Sequence, residues 1–96
     1  MITKDDIRKR RDEIIAVARR YGASDVRIFG SVARGDATDN SDVDFIVRFD
    51  PDRSLFDHGG LIVELEELLR VKVDVISEGG MRDRFRDHIM KEIVPL

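Results

Sequence analysis

Two short apolar runs, Val26-Arg-Ile-Phe29 and Val43-Asp-Phe-Ile-Val47, are joined by a polar link too short to hold a full crossover helix. That spacing restricts the fold more than any other feature. Strands joined without a full crossover helix are expected to pair antiparallel, because a parallel pair is normally connected by such a helix. The chemistry clusters around the same link. Gly30-Ser31 follows the first run directly, and after ten further residues Asp42-Val-Asp44 opens the second. A Gly-Ser turn can bring bare backbone N–H groups up to phosphate oxygens, and carboxylates one residue apart on a strand point the same way. The arrangement suits phosphate and metal.

The flanking segments read as support. Thr3 begins a capping box with Asp6, and Ile7, Ile14, Val17, Ala18 and Tyr21 form an apolar stripe at helical spacing that Gly22 stops. The bases of this helix interleave with acids and have no aromatic companions, which marks a solvated face rather than a nucleic-acid surface. Ser31 to Arg34 make one helical turn closed by Gly35. In the second strand, Asp42 to Phe49, alternation puts Val43, Phe45 and Val47 on one face and Asp42, Asp44 and Ile46 on the other. Ser54 and Asp57 start a second helix carrying Leu61, Ile62, Leu65, Leu68 and Leu69 to Arg70, with Gly59 and Gly60 weakening its first turn. Val71 to Ile76 is a third strand, parallel to the second, and Met81, Phe85, Ile89 and Ile93 mark a last helix closed by Pro95. The expected fold is an α/β (α+β) sandwich: one domain, residues 1–96, with a three-stranded mixed sheet packed by about four helices.

Composition narrows the function. Ninety-six residues allow one core and no second substrate-holding domain. With 42% apolar and 39% charged residues of both signs the chain is globular, and a net charge of −3 argues against a general nucleic-acid binder. There is no cysteine for a disulfide or thiolate site. No run reaches membrane-spanning length, and the first residues mix acids and bases where a signal peptide needs apolar ones, so a cytoplasmic address is expected.

Familiar phosphate and calcium motifs fail on inspection. Gly30 and Gly35 have the separation of a Walker A loop, but Asp36 and Ala37 stand where Lys and Ser or Thr must follow. EF-hand registers from Asp36 or Asn40 place Ser41 or Phe45 at the required glycine. Arg34-Gly35-Asp36 matches an adhesion motif only by letters. His58 and His88 are expected at the surface, and neither has a second histidine at ligand spacing. What remains is Gly-Ser, Asp-x-Asp and a third acid, Asp74, inside a strand where Asp is disfavoured. If the second and third strands are neighbours, the three carboxylates share a face and repel one another, and Mg²⁺, which also binds substrate phosphates, is the natural partner.

On Gly30-Ser31, Ala33-Arg34-Gly35, Ser41-Asp42-x-Asp44 and Asp74, over nearly its whole length, the chain resembles the nucleotidyltransferases of the DNA polymerase beta superfamily. It is most similar to the small stand-alone MNT proteins of HEPN–MNT toxin–antitoxin pairs. The resemblance implies that Asp42, Asp44 and Asp74 hold two Mg²⁺ ions and carry catalysis, with Asp74 helping to deprotonate the attacking hydroxyl. Gly30 and Ser31 would cradle the triphosphate of ATP, and Arg34 would add charge against it or else pair with the acidic loop. The implied activity is transfer of AMP to a hydroxyl, of tyrosine by the resemblance, on a HEPN ribonuclease toxin, with which the chain would form a hetero-oligomer. The competing readings are inhibition of the toxin by binding alone, and transfer to a small molecule or RNA.

Overall fold

The computed structural model describes residues 1–96. Its element order is α1 (Lys4–Lys9), α2 (Arg11–Arg20), β1 (Ala23–Phe29), α3 (Gly30–Arg34), β2 (Val43–Phe49), α4 (Leu55–Leu69), β3 (Val73–Ser77), a 3₁₀ turn (Glu78–Gly80), α5 (Asp83–Met90) and β4 (Val94–Pro95). The sheet order is β3-β2-β1-β4, with β1 antiparallel to β2 and β4 and β2 parallel to β3. The mixed sheet is thus as expected, but it has four strands rather than three. The extra strand is only two residues long and has no alternation to reveal it; Pro95, which closes the chain's last segment, pairs with Arg27 on the edge of β1.

Both capping boxes form: Thr3 with Asp6 and Ser54 with Asp57 each exchange side-chain and backbone hydrogen bonds. The first helix is broken, however. At Arg10 the chain leaves helical geometry, and the Arg10 guanidinium reaches the Leu68 carbonyl at the C-terminal end of α4 (2.6 Å) and Glu13. A helix end whose carbonyls lack intrahelical partners is satisfied in this way. The last helix is shorter than its apolar spacing predicts: of the stripe, only Ile89 is both helical and buried, Phe85 is exposed, and Ile93 lies beyond the helix end.

The main core lies on one face of the sheet. Ile28, Val43, Phe45 and Val47 meet Ile7, Ile14 and Val17 of the first two helices and Leu61, Leu65 and Leu69 of α4. Each fully buried large aliphatic or aromatic side chain there contributes about 1.5–3 kcal/mol. A bulge in β1 between Ser24 and Arg27, with Asp25 at φ 53°, lets both Ala23 and Ile28 face this core. Two further sides of α4 are also committed. Tyr21 covers Gly60, where any Cβ would overlap its ring, and donates to Glu64 (2.6 Å). Toward β3, His58 Nε2 meets the Val75 carbonyl and Glu66 accepts from the Val73 N–H. Gly60 is therefore a packing glycine rather than a weak point of the helix.

The opposite face of the sheet is only partly covered. Phe29, Ile46 and Ile89 form a small second cluster with Ile76, Met81 and Ile93. Acidic residues occupy the uncovered end of that face. No helix is long and apolar enough to cross a membrane.

Candidate active site

Asp42 and Asp44 stand at the head of β2, and register sets Asp44 directly beside Asp74 of the parallel neighbour β3. Residues paired in a parallel ladder project to the same face, so the three carboxylates lie on the sheet face away from the main core. Asp42 and Asp74 are exposed and Asp44 is partly buried. No hydrogen bond or ion pair satisfies any of the three. Burial pushes the Asp44 carboxyl up to about 6, with Asp74 and then Asp42 adding like-charge repulsion.

Gly30 fits this carboxylate. It has φ +73°, and a Cβ there would collide with Asp44 Oδ2. Both the turn and the close approach therefore require glycine. Ser31 follows in the first turn of α3, where backbone N–H groups have no intrahelical acceptor, and Gly35 closes that turn in the left-handed conformation.

Arg34 is engaged. Its guanidinium donates to Glu92 (2.7 Å) and to Asp36 (3.1 Å), which hold its pKa above the ordinary value, Glu92 foremost. Pairing with the acidic loop, one of the two expectations for this residue, is thus present, and Glu92 is an additional partner that the sequence did not suggest. Arg34 still lowers, and Glu92 raises, the pKa of Asp44.

A second charged group that the sequence reading missed occupies the other end of this face. Glu78 is buried and accepts from Arg27 (2.8 Å) and from both Nε and Nη2 of Arg48 (2.9 and 2.7 Å). The two guanidinium groups hold its carboxyl down at about 2. Arg27 Nη2 lies 3.5 Å from Asp25 Oδ2, close enough for attraction, yet makes no hydrogen bond. Arg27 set among apolar residues mid-strand is the one sequence signal of this network. It ties the 3₁₀ turn to β1 and β2, and so anchors the segment that leads into α5.

The donor set fits a divalent cation chemically: hard oxygens, three negative charges and no competing base bonded to them. No three acidic or histidine side chains are yet gathered closely enough to enclose an ion. A groove of about 370 Å³ between Asp39–Asp42 and Arg70–Lys72 has Asp42 in its lining, whereas none of the three acids lines any of the other grooves.

Comparison with known proteins identifies the family. The nucleotidyltransferase domain family matches residues 11–96. A chain of Methanocaldococcus jannaschii named as a candidate protein adenylyltransferase is 37% identical over 85% of this chain and 88% of its own. The protein adenylyltransferase MntA of Thermococcus cleftensis is 33% identical over 78% of this chain and 76% of its own. A solved structure described as a candidate minimal nucleotidyltransferase, 43% identical, superposes with a TM-score of 0.87 over 99% of this chain and 97% of that one. One chain of a solved complex, described as a tri-AMPylated Shewanella oneidensis HEPN toxin with MNT antitoxin, is 16% identical with a TM-score of 0.70 over 92% of this chain and 69% of its own, and shares the fold alone. With its Gly-Ser turn, its paired strand acids and its mixed sheet, the chain belongs to the nucleotidyltransferase domain family.

Proposed function

We propose that this nucleotidyltransferase is a protein adenylyltransferase serving as an antitoxin: it moves AMP from ATP to a tyrosine hydroxyl of a HEPN-domain ribonuclease toxin and so silences the nuclease. The observation that carries the reading is the setting of Asp44, held against a glycine with no room for a side chain and beside Asp74 in register, next to a Gly-Ser helix start. The names of the relatives support a protein acceptor.

Asp42, Asp44 and Asp74 would hold Mg²⁺. When bound, the cation offsets charge on the phosphate oxygens of ATP as it develops during displacement. Gly30 lets the backbone approach the triphosphate, and Ser31 donates its N–H and hydroxyl to phosphate oxygens. Arg34, steadied by Glu92 and Asp36, adds positive potential beside Asp44. The acceptor oxygen bonds to the α-phosphorus and the bond to the bridging oxygen breaks. Pyrophosphate leaves with that electron pair, and exposed Asp74 takes the hydroxyl proton.

The test incubates the chain with its cognate toxin, Mg²⁺ and ATP labelled at the α-phosphate, beside Asp42→Asn and Asp44→Asn variants. Label on the toxin that either variant abolishes supports the enzyme. Full neutralisation by both variants without label would replace it with inhibition by binding alone.

A further inference from the structure

The groove that has Asp42 in its lining also carries two bases with nothing to hold. Arg70 and Lys72 are exposed, and neither side chain makes a hydrogen bond or an ion pair. Lys72 stands two residues before Asp74 and therefore projects to the acid-bearing face of the sheet. Arg70 caps α4 in the left-handed region, at φ 59°, where glycine is the usual residue. A side chain there strains the backbone, and strain of this kind gathers at binding sites. Of the acids on the same rim, Asp39 faces the N-terminal ammonium (3.4 Å) and Asp42 belongs to the proposed cation site. The uncommitted charge of the groove is therefore positive.

We propose that Arg70 and Lys72 receive an acidic segment of the acceptor protein, the carboxylates that flank its target hydroxyl. The inference rests on the adenylyltransferase reading above, and its direction comes from topology. In the sheet order β3-β2-β1, the Gly30-Ser31 turn lies on the β1 side of the acids, while the groove opens where β2 and β3 begin. With the leaving pyrophosphate at Gly30 and Ser31, an in-line displacement brings the acceptor from the opposite side, toward β3. The two bases stand there. Polyphosphate is already provided for on the far side, and a nucleoside finds no stacking surface, since Val71 is the one apolar residue of the groove. An acidic segment would be repelled by Asp42, Asp44 and Asp74 alone; bases at their margin offset that repulsion and select for it.

Fluorescence anisotropy tests this without catalysis. The full chain, with Mg²⁺ and a non-hydrolysable ATP analogue, is titrated into labelled peptides carrying one tyrosine flanked by glutamates, by glutamines or by lysines. The glutamate peptide should bind about tenfold tighter than the glutamine peptide, with the gap closing in high salt. Arg70→Gly and Lys72→Gln should each weaken it by about 3-fold, as loss of an exposed ion pair does, and leave affinity for the ATP analogue unchanged. In AMP transfer both should raise KM for the toxin and not for ATP. Because glycine relieves the left-handed backbone, Arg70→Gly should also raise Tm, which the loss of a merely structural arginine would not do. The proposal is overturned by equal affinity for the three peptides, by variants that weaken nucleotide as much as peptide, or by a Tm loss with peptide affinity unchanged. Glutamate preference without AMP transfer to the toxin would uphold the acidic contact and overturn the enzymatic reading instead.

Discussion

Replacing Asp44 by asparagine should stabilise the metal-free chain while destroying its activity. The Asp44 carboxyl is raised from 3.8 to about 6, burial first and Asp74 next. The folded chain therefore holds this proton more tightly than the unfolded chain does. With a raised acid the sign is fixed: ionised Asp44 opposes folding fully above about pH 6, and the opposition fades as pH falls toward 4. The rise from 3.8 to about 6, at about 1.36 kcal/mol per pH unit, bounds the effect near 3 kcal/mol. Solvent screening of a partly buried group reduces it to roughly 1–2 kcal/mol. Urea unfolding of both proteins in a chelator at about pH 7.5 should find Asp44→Asn the more stable by that amount, or about 4–8 °C in Tm per kcal/mol. The gap should narrow below pH 6 and nearly vanish at about pH 4, and Mg²⁺ should stabilise only the parent. An asparagine variant no more stable than the parent at pH 7.5 would refute the claim that like charges and burial strain this site.

Other substitutions probe the supports. Gly30→Ala meets both a left-handed φ and Asp44 Oδ2; it should cost about 2–3 kcal/mol in denaturant unfolding and lower AMP transfer by at least about tenfold. Glu78→Gln strands two arginines, one of them buried, and should cost about 3–5 kcal/mol. Because the Glu78 carboxyl is held at about 2, its stabilisation is complete above about pH 4.5 and is lost as pH falls toward 2. An acid titration of parent and variant should converge there. Adjacent glycines should respond with opposite signs in thermal unfolding: Gly59→Ala gains about 0.5–1 kcal/mol of helix propensity, while Gly60→Ala loses about 1–3 kcal/mol by displacing the Tyr21 ring.

Local signals carried far in this chain. Two capping boxes, the short link between β1 and β2, and strand alternation located the main helices and strands and put Asp74 beside Asp44. What escaped were contacts between segments remote in sequence. Arg10 breaks the first helix by reaching Leu68, and Val94-Pro95 joins the sheet only because the β1 edge is there to receive it. Glu92 finds Arg34 from the far end of the chain, and Glu78 gathers arginines from two strands. A residue's spacing pattern reports the face it occupies; it does not report which distant side chain waits on that face. Gly30 shows the difference well. Its turn was legible as Gly-Ser after a strand, whereas its service to Asp44 needed β1 and β2 paired in register.

On the proposed function the group transferred is the nucleoside monophosphate rather than the terminal phosphate. The most direct measurement supplies the chain, the HEPN toxin proposed as its partner and Mg²⁺ with ATP labelled either at the α- or at the γ-phosphate. The toxin should take up α-label and none of the γ-label, with γ-label recovered as pyrophosphate. γ-Label on the toxin, or no label from either nucleotide while the toxin is silenced, would contradict the account.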